Sequence, residues 1–395
     1  MQNFTIPAAD LHDAANGISS ARLCHHARCF VTIRRHNGET SLSQSVMSKA
    51  VSYTVPAAKP ATSLGAVLAA SRRAVENCEA RVSLGELKAV LAKIGRKNLV
   101  RVAVAEKHLL LSVPGKTGDH QVAVDAFPQY EQDPVPAFTG KAVAFDTATI
   151  EKYRTAATFA AGENRPGLHC VWLHPQDKFR ASSHLVACDG VRLYLSDISP
   201  ALPLEKPLPL PLEPFLKSKA MSAASWIFRV QKCTEKHRRK YVHLKIDSGR
   251  WTYRDLISPL NPPPWDSVFP KIKQAAACKL GPGDTARLLN AIGALPVKDS
   301  KDEGGAVCLE LDGKLTVGNK ADSKSPVIDR ISTGILATGK AVIKFNRQRL
   351  VEALRLGFSS LAVYPDGKPL HLVGPGTQFL LMPLAFPDQK QAAAA

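Results

Sequence analysis

Two cysteines and two histidines fall within one short segment, CHHARC at Cys24–Cys29, and thiolate and imidazole groups are common zinc ligands. Structural zinc sites generally combine two close pairs of ligands, and this segment lacks a second pair at that spacing. The eight cysteines form no Cys-x-x-Cys pair, and most lie in apolar runs such as AVCLEL. That placement is typical of buried thiols in a reducing compartment. We therefore predict no metal site.

Side chains that could act as acids, bases or nucleophiles occur later in the chain, at His169, Cys170, His184 and Asp189. Their spacing assembles neither a nucleophile–base pair nor two paired carboxylates. The sequence also lacks the Gly-x-x-x-x-Gly-Lys-Ser/Thr loop that cradles phosphates. We predict no catalytic residue and no cofactor. An enzyme remains an alternative, which loss of an activity on replacing one of these four residues would favour.

The balance of charge is basic, with 52 lysines and arginines against 34 acidic residues and a formal net charge of +18. Such an excess favours a polyanionic partner, because each phosphate contact releases counterions from a nucleic acid. A soluble protein that is simply basic is the alternative. The sequence contains no run of about 18 apolar residues, which a membrane-spanning helix would need. Its N-terminus lacks the order of a charged segment followed by an apolar one that is typical of a signal peptide. We expect no membrane partner and a cytoplasmic location.

The 395 residues leave room for two to four domains of roughly 100–200 residues each. Apolar residues at helical spacing predict two helices in each third of the chain, separated by short strands with hairpin signals such as Asp312-Gly313. This order favours an α+β fold with helices on antiparallel sheets over a doubly wound parallel sheet. A further helical stretch around Leu64–Cys78 breaks the symmetry. The six predicted helices are Ala8–Ile18, Leu84–Ile94, Ile150–Ala160, Phe215–Ala224, Asp284–Ile292 and Arg347–Leu356.

Proline-rich segments mark the predicted domain boundaries. One is AFPQYEQDPVPAF at Ala126–Phe138, and the other is NPPPWDSVFP at Asn261–Pro270. Segments of this composition favour extended linkers over helices or central strands. We therefore divide the chain into three domains, at residues 1–137, 138–268 and 269–395.

Three motifs carry a resemblance to a known family. VACDGVRL at Val186–Leu193 is similar to the Ala-Thr-Asp-Gly-His-Arg-Leu turn of the bacterial sliding clamp, the beta subunit of replicative DNA polymerase. PPWDSVFP at Pro263–Pro270 resembles that family's linker, and FLLMPL at Phe379–Leu384 resembles its C-terminal strand. Each motif alone is weak, but their order and spacing match along the whole chain. The chain is therefore identified as a divergent member of this family.

The resemblance implies three similar domains of the DNA-clamp type, each with two helices packed on antiparallel sheets, forming a curved half-ring. Two subunits would join head to tail as a homodimer and encircle double-stranded DNA, held by basic side chains that do not read bases. The candidate DNA-binding residues are Arg22, Lys88, Lys93, Arg96, Lys97, Lys152, Arg154, Lys217, Lys219, Arg287, Arg347 and Arg349. A solvated surface charge is the alternative for each of them.

The resemblance also implies an apolar pocket that accepts short peptides from DNA polymerase and the clamp loader. An apolar groove with a flexible methionine suits an extended peptide bearing Leu or Phe. Filling of a domain interface is the alternative role of these residues. The candidate pocket residues are Leu168, Cys188, Gly190, Val191, Arg192, Leu193, Pro263, Val268, Pro369, Leu380, Leu381, Met382, Pro383 and Leu384.

The chain departs from the family pattern in ways that affect these expectations. Cys188 and Val191 replace the usual Thr and His, which makes the expected pocket more apolar. The stretch Asn319–Arg330 lacks the acidic cluster that in the family faces a basic edge of the neighbouring subunit, an edge on which Lys116 is the main basic residue left. Ring closure would then rely on strand pairing and apolar contact. A non-encircling, basic nucleic-acid-binding protein is the second alternative, and the absence of a clear recognition helix counts against it.

Overall fold

The structure is a computed structural model. It describes residues 2–21, 29–36, 39–46, 49–55, 78–104, 108–113, 120–127, 138, 140–162, 165, 167–176, 182–221, 225–234, 240–258, 260–296, 305–319 and 326–385. Arg22, Lys116, most of the CHHARC segment and most of the predicted helix at Leu64–Cys78 lie outside these ranges. Within them, no helix has the length and apolar character needed to cross a membrane.

Short helices and many strands make up the described chain. The helices are α1 (Ala8–Ala21), α2 (Leu84–Leu91), α3 (Thr147–Ala157), α4 (Pro214–Lys217), α5 (Asp284–Ala294) and α6 (Arg347–Leu354), with 3-10 turns at Lys219–Met221 and Trp265–Ser267. The strands are β1 (Gln2–Pro7), β2 (Phe30–His36), β3 (Glu39–Val46), β4 (Lys49–Val55), β5 (Cys78–Ser83), β6 (Leu99–Val104), β7 (His108–Val113), β8 (His120–Phe127), β9 (Val143–Phe145), β10 (Cys170–His174), β11 (Ser183–Cys188), β12 (Arg192–Ile198), β13 (Leu208–Pro211), β14 (Trp226–Thr234), β15 (Lys240–Ser248), β16 (Trp251–Ile257), β17 (Ala276–Lys279), β18 (Ala306–Asn319), β19 (Ile328–Asn346), β20 (Ser360–Val363), β21 (Leu370–Gly374) and β22 (Thr377–Leu381).

The chain divides into two compact units, and each contains one sheet. Unit 1 comprises Met1–Ile150 and Leu212–Pro259, and unit 2 comprises Glu151–Pro211 and Leu260–Ala395. The sheet of unit 1 has the strand order β1-β6-β7-β8-β5-β2-β3-β4-β16-β15-β14-β9. The sheet of unit 2 has the order β13-β10-β11-β12-β22-β21-β20-β17-β19-β18. Neighbouring strands in both sheets are antiparallel, so the predicted α+β class with antiparallel sheets is confirmed.

The order of elements repeats along the chain. The runs β1–β8 and β9–β16 each read strand, helix, four strands, helix, three strands. The last run has β17, α5, then the long strands β18 and β19 in place of four short ones, then α6 and three strands. The β18–β19 ladder changes register between Asp312 and Lys314 and twice more before Asn319, as strands do at bulges. This threefold order is what three similar domains would produce, and the boundaries at 137 and 268 stay predictions.

Helix α1 shows how sequence determines packing in unit 1. Leu11, Ala14 and Ile18 recur at helical spacing and are fully buried against the sheet. The predicted helix at Ala8–Ile18 is therefore confirmed, and it continues to Ala21. Gly17 lies so close to the indole of Trp251 that a Cβ atom there would overlap the ring. The chain thus has glycine at this position of the helix because the Trp251 side chain occupies the space that a Cβ would need.

The prediction of one helix over Phe215–Ala224 is wrong for its described part. Helix α4 covers only Pro214–Lys217, Ser218 is extended, and a 3-10 turn follows. Two polar contacts favour the break, because the hydroxyl of Ser218 donates to the carbonyl of Phe215 at 2.6 Å and the indole N–H of Trp226 donates to Met221 at 2.6 Å. Local side-chain bonds of this type compete with continuation of a helix.

Candidate functional site

The VACDGVRL motif forms the tight turn between β11 and β12 in unit 2. The Asp189 carboxylate accepts the backbone N–H groups of Val191 at 2.8 Å and Arg192 at 2.7 Å. Gly190 adopts a positive φ of 90°, which favours glycine because it has no Cβ. The guanidinium of Arg165 donates to the Asp189 carbonyl at 2.8 Å and lies where a Cβ of residue 190 would be. The aspartate and the glycine therefore have a structural task in this turn.

Arg192 connects this turn to helix α6. Its Nε donates to Asp189 at 2.8 Å, and its Nη1 forms an ion pair with Glu352 of α6. The guanidinium carbon also lies 5.2 Å from the centre of the Phe159 ring, within cation–π range. The Arg192 and Asp189 side chains are each 15% exposed, so water and salt screen their attraction less than at the open surface.

Strand β12 pairs directly with β22, and this brings the first and third motifs together. Leu193 lies opposite Leu380, and Arg192 lies opposite Leu381. Beyond the end of β22, the N–H of Met382 donates to the carbonyl of Val191 at 2.9 Å. Residues almost two hundred positions apart in sequence therefore form one side of a single surface.

The linker motif supplies the remaining part of this surface. Trp265, in the 3-10 turn of the linker, packs into an apolar cluster with Leu193 and Leu380, and Phe269 packs against the same cluster. The Trp265 ring lies 6.0 Å from that of Trp172 and 4.2 Å from that of His174. We call this surface the seam cleft, defined by Cys188–Leu193, Pro263–Phe269 and Leu380–Leu384. The pocket prediction did not include Trp265 and Phe269, although a tryptophan after three prolines was a visible signal.

The predicted pocket residues differ in how accessible they are. Val268 is 41% exposed and Met382 is 38% exposed, whereas Leu193 is only 3% exposed. The residues of the seam cleft therefore include both exposed apolar side chains and buried ones. Gly190, Val268 and Met382 are exposed; Leu168, Cys188, Val191, Arg192, Pro263, Pro383 and Leu384 are half-buried; and Leu193, Pro369, Leu380 and Leu381 are buried.

The four side chains that could act as acids, bases or nucleophiles are buried or hydrogen-bonded to other parts of the protein. Burial raises the pKa of the Cys170 thiol to about 12, so it is not a thiolate at neutral pH. His169 contacts the Ala161 carbonyl at 2.8 Å, and His184 is buried with its ring 4.7 Å from that of His174. In the described part of the chain, no three His, Cys, Asp or Glu side chains are grouped to hold a metal ion.

Several predicted DNA-binding residues of unit 1 cluster around α1. Lys88 of α2 donates to the Ser19 hydroxyl at 3.2 Å, and Arg96 in the following turn is ion-paired with Asp13. Helix α4 packs against α1 as well, and it carries Lys217. Helix α1 contains no Lys or Arg between Ala8 and Ala21. Its exposed face carries the Asp13 carboxylate, so the positive charge around α1 comes from residues of the neighbouring helices and turns. The exposed members of this basic set are Lys88, Lys93, Arg96, Lys97, Lys217 and Lys219.

The predicted DNA-binding residues of unit 2 are more constrained. Lys152 donates to the Asp197 carbonyl at 2.7 Å, and Arg154 is ion-paired with Glu151 at 2.7 Å. Arg287 is ion-paired with Asp284 but remains 58% exposed. Arg347 donates to carbonyls at the end of α5, and Arg349 is half-buried in the first turn of α6. Of this group, Arg287 is the most accessible to a ligand.

No protein-family model matches the sequence, and no curated protein is significantly similar to it. The fold, in contrast, matches solved structures along nearly the whole chain. The DNA polymerase III subunit beta of Pseudomonas aeruginosa aligns with a TM-score of 0.75 at 14% identity, covering 98% of this chain and 100% of that one. The sliding clamp of Bacillus subtilis aligns with a TM-score of 0.74 at 14% identity, covering 97% and 98%. The chain has the sliding-clamp fold.

Other sliding clamps extend this comparison. The beta subunit of Thermotoga maritima aligns with a TM-score of 0.71 at 15% identity, covering 97% of this chain and 99% of that one. A sliding clamp from Bartonella birtlesii, at 14% identity and a TM-score of 0.72, was solved bound to griselimycin. The similarity spans whole sliding clamps from end to end, while few side chains are shared.

Proposed function

We propose that this chain is a DNA sliding clamp, a processivity factor that encircles duplex DNA and tethers the replicative polymerase. The single observation that carries the proposal is the end-to-end match of its fold to sliding clamps, at 97–98% of this chain. Tethering of this type requires closure around DNA and no chemical step, so we infer that the chain is not an enzyme. A clamp that serves a replicative polymerase works where the chromosome is, and we infer a cytoplasmic location.

The charge of the chain supports a DNA partner. Its net charge of +18 favours association with polyphosphate, and the exposed lysines around α1 carry part of that charge on helices and on the turns that follow them. Lysines on helices hold the backbone without reading base edges, which permits movement along any sequence. Closure of a ring then keeps the protein on DNA when salt weakens the individual contacts. We infer a head-to-tail homodimer as the closed form.

The seam cleft is the proposed attachment point for polymerase and clamp-loader peptides. It exposes Met382 and Val268, while Trp265 and Leu193 are buried in its apolar cluster. A flexible methionine adapts to different apolar side chains, and the carbonyl and N–H groups of the Gly190 turn lie next to it. Because Cys188 and Val191 make this cleft apolar, we expect a preference for peptides with Leu or Phe and few polar anchors.

Topology provides the decisive test of the proposed function. The protein is loaded with a clamp loader onto a nicked circular plasmid, and bound protein is followed by gel filtration in about 0.5 M salt. A closed ring stays on the circle and is lost after the plasmid is cut once, because it slides off the free ends. A non-encircling basic protein leaves both forms at the same rate, since salt acts equally on its contacts with each. Equal loss from both forms contradicts the proposal.

Assembly and ligand binding give two further checks. Sedimentation at micromolar concentration should give the mass of a dimer, and a monomer at working concentration contradicts ring closure. Griselimycin is a useful probe, since it binds a sliding clamp that shares this fold. We expect it to bind this chain, and we expect a Met382→Glu variant to bind it more weakly.

A further inference from the structure

A cleft of about 650 Å³ opens in unit 1, and none of its lining residues belongs to the seam cleft. It lies between helix α1, the 3-10 turn after α4, and the turn that joins β15 to β16. The residues that matter here are Asp13, Asn16 and Ser20 from α1, Lys219 from the 3-10 turn, and Arg250 and Trp251 from the β15–β16 turn. We call this the α1 cleft. None of the sequence motifs pointed to it.

Arg250 is fixed in position at the edge of the α1 cleft. Its Nη1 donates to the Tyr53 hydroxyl at 2.9 Å and is ion-paired with Asp10. Tyr53 in turn donates to Asp10 at 2.8 Å, and both of these partners are buried. The Arg250 side chain is nevertheless 51% exposed, and the contacts described here use only one of its guanidinium nitrogens. A guanidinium held in this way retains donors for a ligand and loses little entropy on binding one.

The surroundings of Arg250 favour an anion. Lys219 and Asn16 are exposed and add an ammonium group and an amide donor to the lining. The two nearby carboxylates already have cationic partners, since Asp10 pairs with Arg250 and Asp13 pairs with Arg96. Lys88 also reaches α1, at Ser19. Basic groups therefore outnumber carboxylates around the α1 cleft, and its donors point to an oxyanion ligand.

Unit 2 has the same arrangement of backbone but lacks these donors. The bond from Thr54 N–H to the Arg250 carbonyl, 2.9 Å, corresponds to the bond from Asp197 N–H to the Gly376 carbonyl, 2.7 Å. The turn in unit 2 thus has a glycine where unit 1 has Arg250. Counted from the first residue of each helix, Ser20 of α1 corresponds to Phe159 after α3. The Phe159 ring packs 5.6 Å from Tyr194 and 5.1 Å from Phe379, so an aromatic ring occupies that position.

We propose that the α1 cleft binds a phosphate group, with the Arg250 guanidinium as the bidentate donor and Lys219 and Asn16 as supporting donors. Arginine fits this role because its planar fork matches two phosphate oxygens. The phosphate belongs either to the DNA backbone or to a free nucleotide. Binding in the cleft does not depend on ring closure, so it can hold or fail separately from the proposed function.

Three variants of the intact chain test the α1 cleft. Asp10→Asn combined with Arg250→Gln removes the guanidinium without leaving a buried carboxylate unpaired, and Lys219→Gln removes an exposed ammonium. Ser20→Phe fills the cleft with the residue type that unit 2 carries at the corresponding position. Lys141→Gln is the matched control, because it removes one exposed positive charge from unit 1 outside the cleft. Thermal melting of each variant verifies that the fold is retained.

Two binding measurements distinguish the sources of phosphate. Affinity for a linear duplex of about 20 base pairs is measured between about 50 and 200 mM salt, where each lost phosphate contact lowers the slope of log K against log salt by about 0.9. Titration with inorganic phosphate and a deoxynucleoside monophosphate is followed by isothermal titration calorimetry, which needs no signal from Arg250. A lower slope and about tenfold weaker duplex binding in the variants, with an unchanged control, identify the DNA backbone. Nucleotide binding that the variants lose, at an unchanged duplex slope, identifies a free nucleotide. Wild-type behaviour of all three variants in both measurements overturns the proposal.

Discussion

The backbone N–H of Met382 donates to the carbonyl oxygen of Val191 over 2.9 Å, one position beyond the last paired residue of β22. This bond extends the contact of β22 with β12 past the end of the strand and fixes the backbone that carries the methionine side chain. The side chain itself stays 38% exposed. A rigid backbone with an accessible, flexible side chain costs little entropy when a peptide binds.

A Met382→Glu, Val268→Glu variant should bind Leu- or Phe-bearing peptides at least tenfold more weakly. Both side chains are exposed in the free protein, so the change should barely affect folding. It removes apolar contacts with the peptide, and full burial of such a side chain contributes about 1.5–3 kcal/mol. Fluorescence polarisation with a labelled peptide measures the affinity. Leu336→Glu is the control, because Leu336 is 73% exposed and lies outside the seam cleft. Unchanged peptide affinity in the double variant would count against the seam cleft as the binding site.

Leu193 is unsuitable for the same test. Leu193 is 3% exposed and lies in the cluster around Trp265, so a charged side chain at this position would be buried without a partner. We expect Leu193→Glu to lower the stability of unit 2 by several kcal/mol, so loss of peptide binding there would not be informative. We expect Leu193→Ala to lower the free energy of unfolding of unit 2 as well, by about 2–5 kcal/mol. Urea unfolding monitored by tryptophan fluorescence measures both, and near-wild-type stability of either variant contradicts the described burial.

Gly17→Ala should destabilise unit 1, by about 1–3 kcal/mol, although alanine normally favours a helix. The reason is that the added methyl group would overlap the Trp251 ring. Gly85→Ala in α2 is the matched control, because a Cβ there meets only the Ser83 hydroxyl at 3.8 Å. We expect the control to be neutral or slightly stabilising in a thermal melt. A stabilised Gly17→Ala chain would mean that Trp251 does not pack on this helix.

Asp255→Asn should raise the free energy of unfolding at pH 7.5 more than at pH 4.5. Burial raises the pKa of the Asp255 carboxyl, and the Tyr253 hydroxyl bonds to it at 2.9 Å. Because the folded pKa lies above the unfolded value, the contribution of this group is greatest at low pH and declines as pH rises through the folded pKa. Asparagine removes that decline. Urea titrations at both pH values measure it, and an equal effect at both would show that Asp255 is not responsible.

Arg192→Met should destabilise unit 2 by about 1–3 kcal/mol, because it leaves the Asp189 carboxylate without its charged partner. Glu352→Gln should cost less than about 1 kcal/mol, since Glu352 is 36% exposed and water screens its interaction with Arg192. Chemical unfolding of the two variants under the same conditions gives the loss of unfolding free energy for each. Equal losses would mean that the ion pair to α6 is as important as the turn.

Local signals in the sequence predicted the parts of the fold that depend on neighbouring residues. The Asp189-Gly190 turn follows from the need for a positive φ and an acceptor for two N–H groups. Helix α1 follows from its apolar spacing. The cap of α2, in which Ser83 accepts the N–H of Glu86 at 3.4 Å, was not among the predictions. The resemblance placed Leu193 and Leu380 in one predicted pocket, but the pairing of β12 with β22 was not among the predictions.

Other features depended on contacts that no local pattern encodes. The triad of Asp10, Tyr53 and Arg250 joins a helix, a strand and a turn that are far apart in sequence, so neither composition nor spacing indicated the α1 cleft. Trp265 was visible in the linker, but its role in the apolar cluster of the seam cleft depends on the position of Leu380. The helix predicted after Phe215 was interrupted by hydrogen bonds of Ser218 and Trp226 that periodicity does not report.

Both sheets continue across a predicted domain boundary, because β4 pairs with β16 in one and β12 pairs with β22 in the other. Strands joined in one hydrogen-bonded sheet unfold cooperatively. We therefore expect the units of thermal unfolding to be the two sheets and not the three predicted domains. Calorimetry of the intact chain would then resolve at most two heat-absorption peaks. Cutting the gene at residues 137 or 268 would leave each fragment with an unpaired strand edge, prone to aggregate when produced alone.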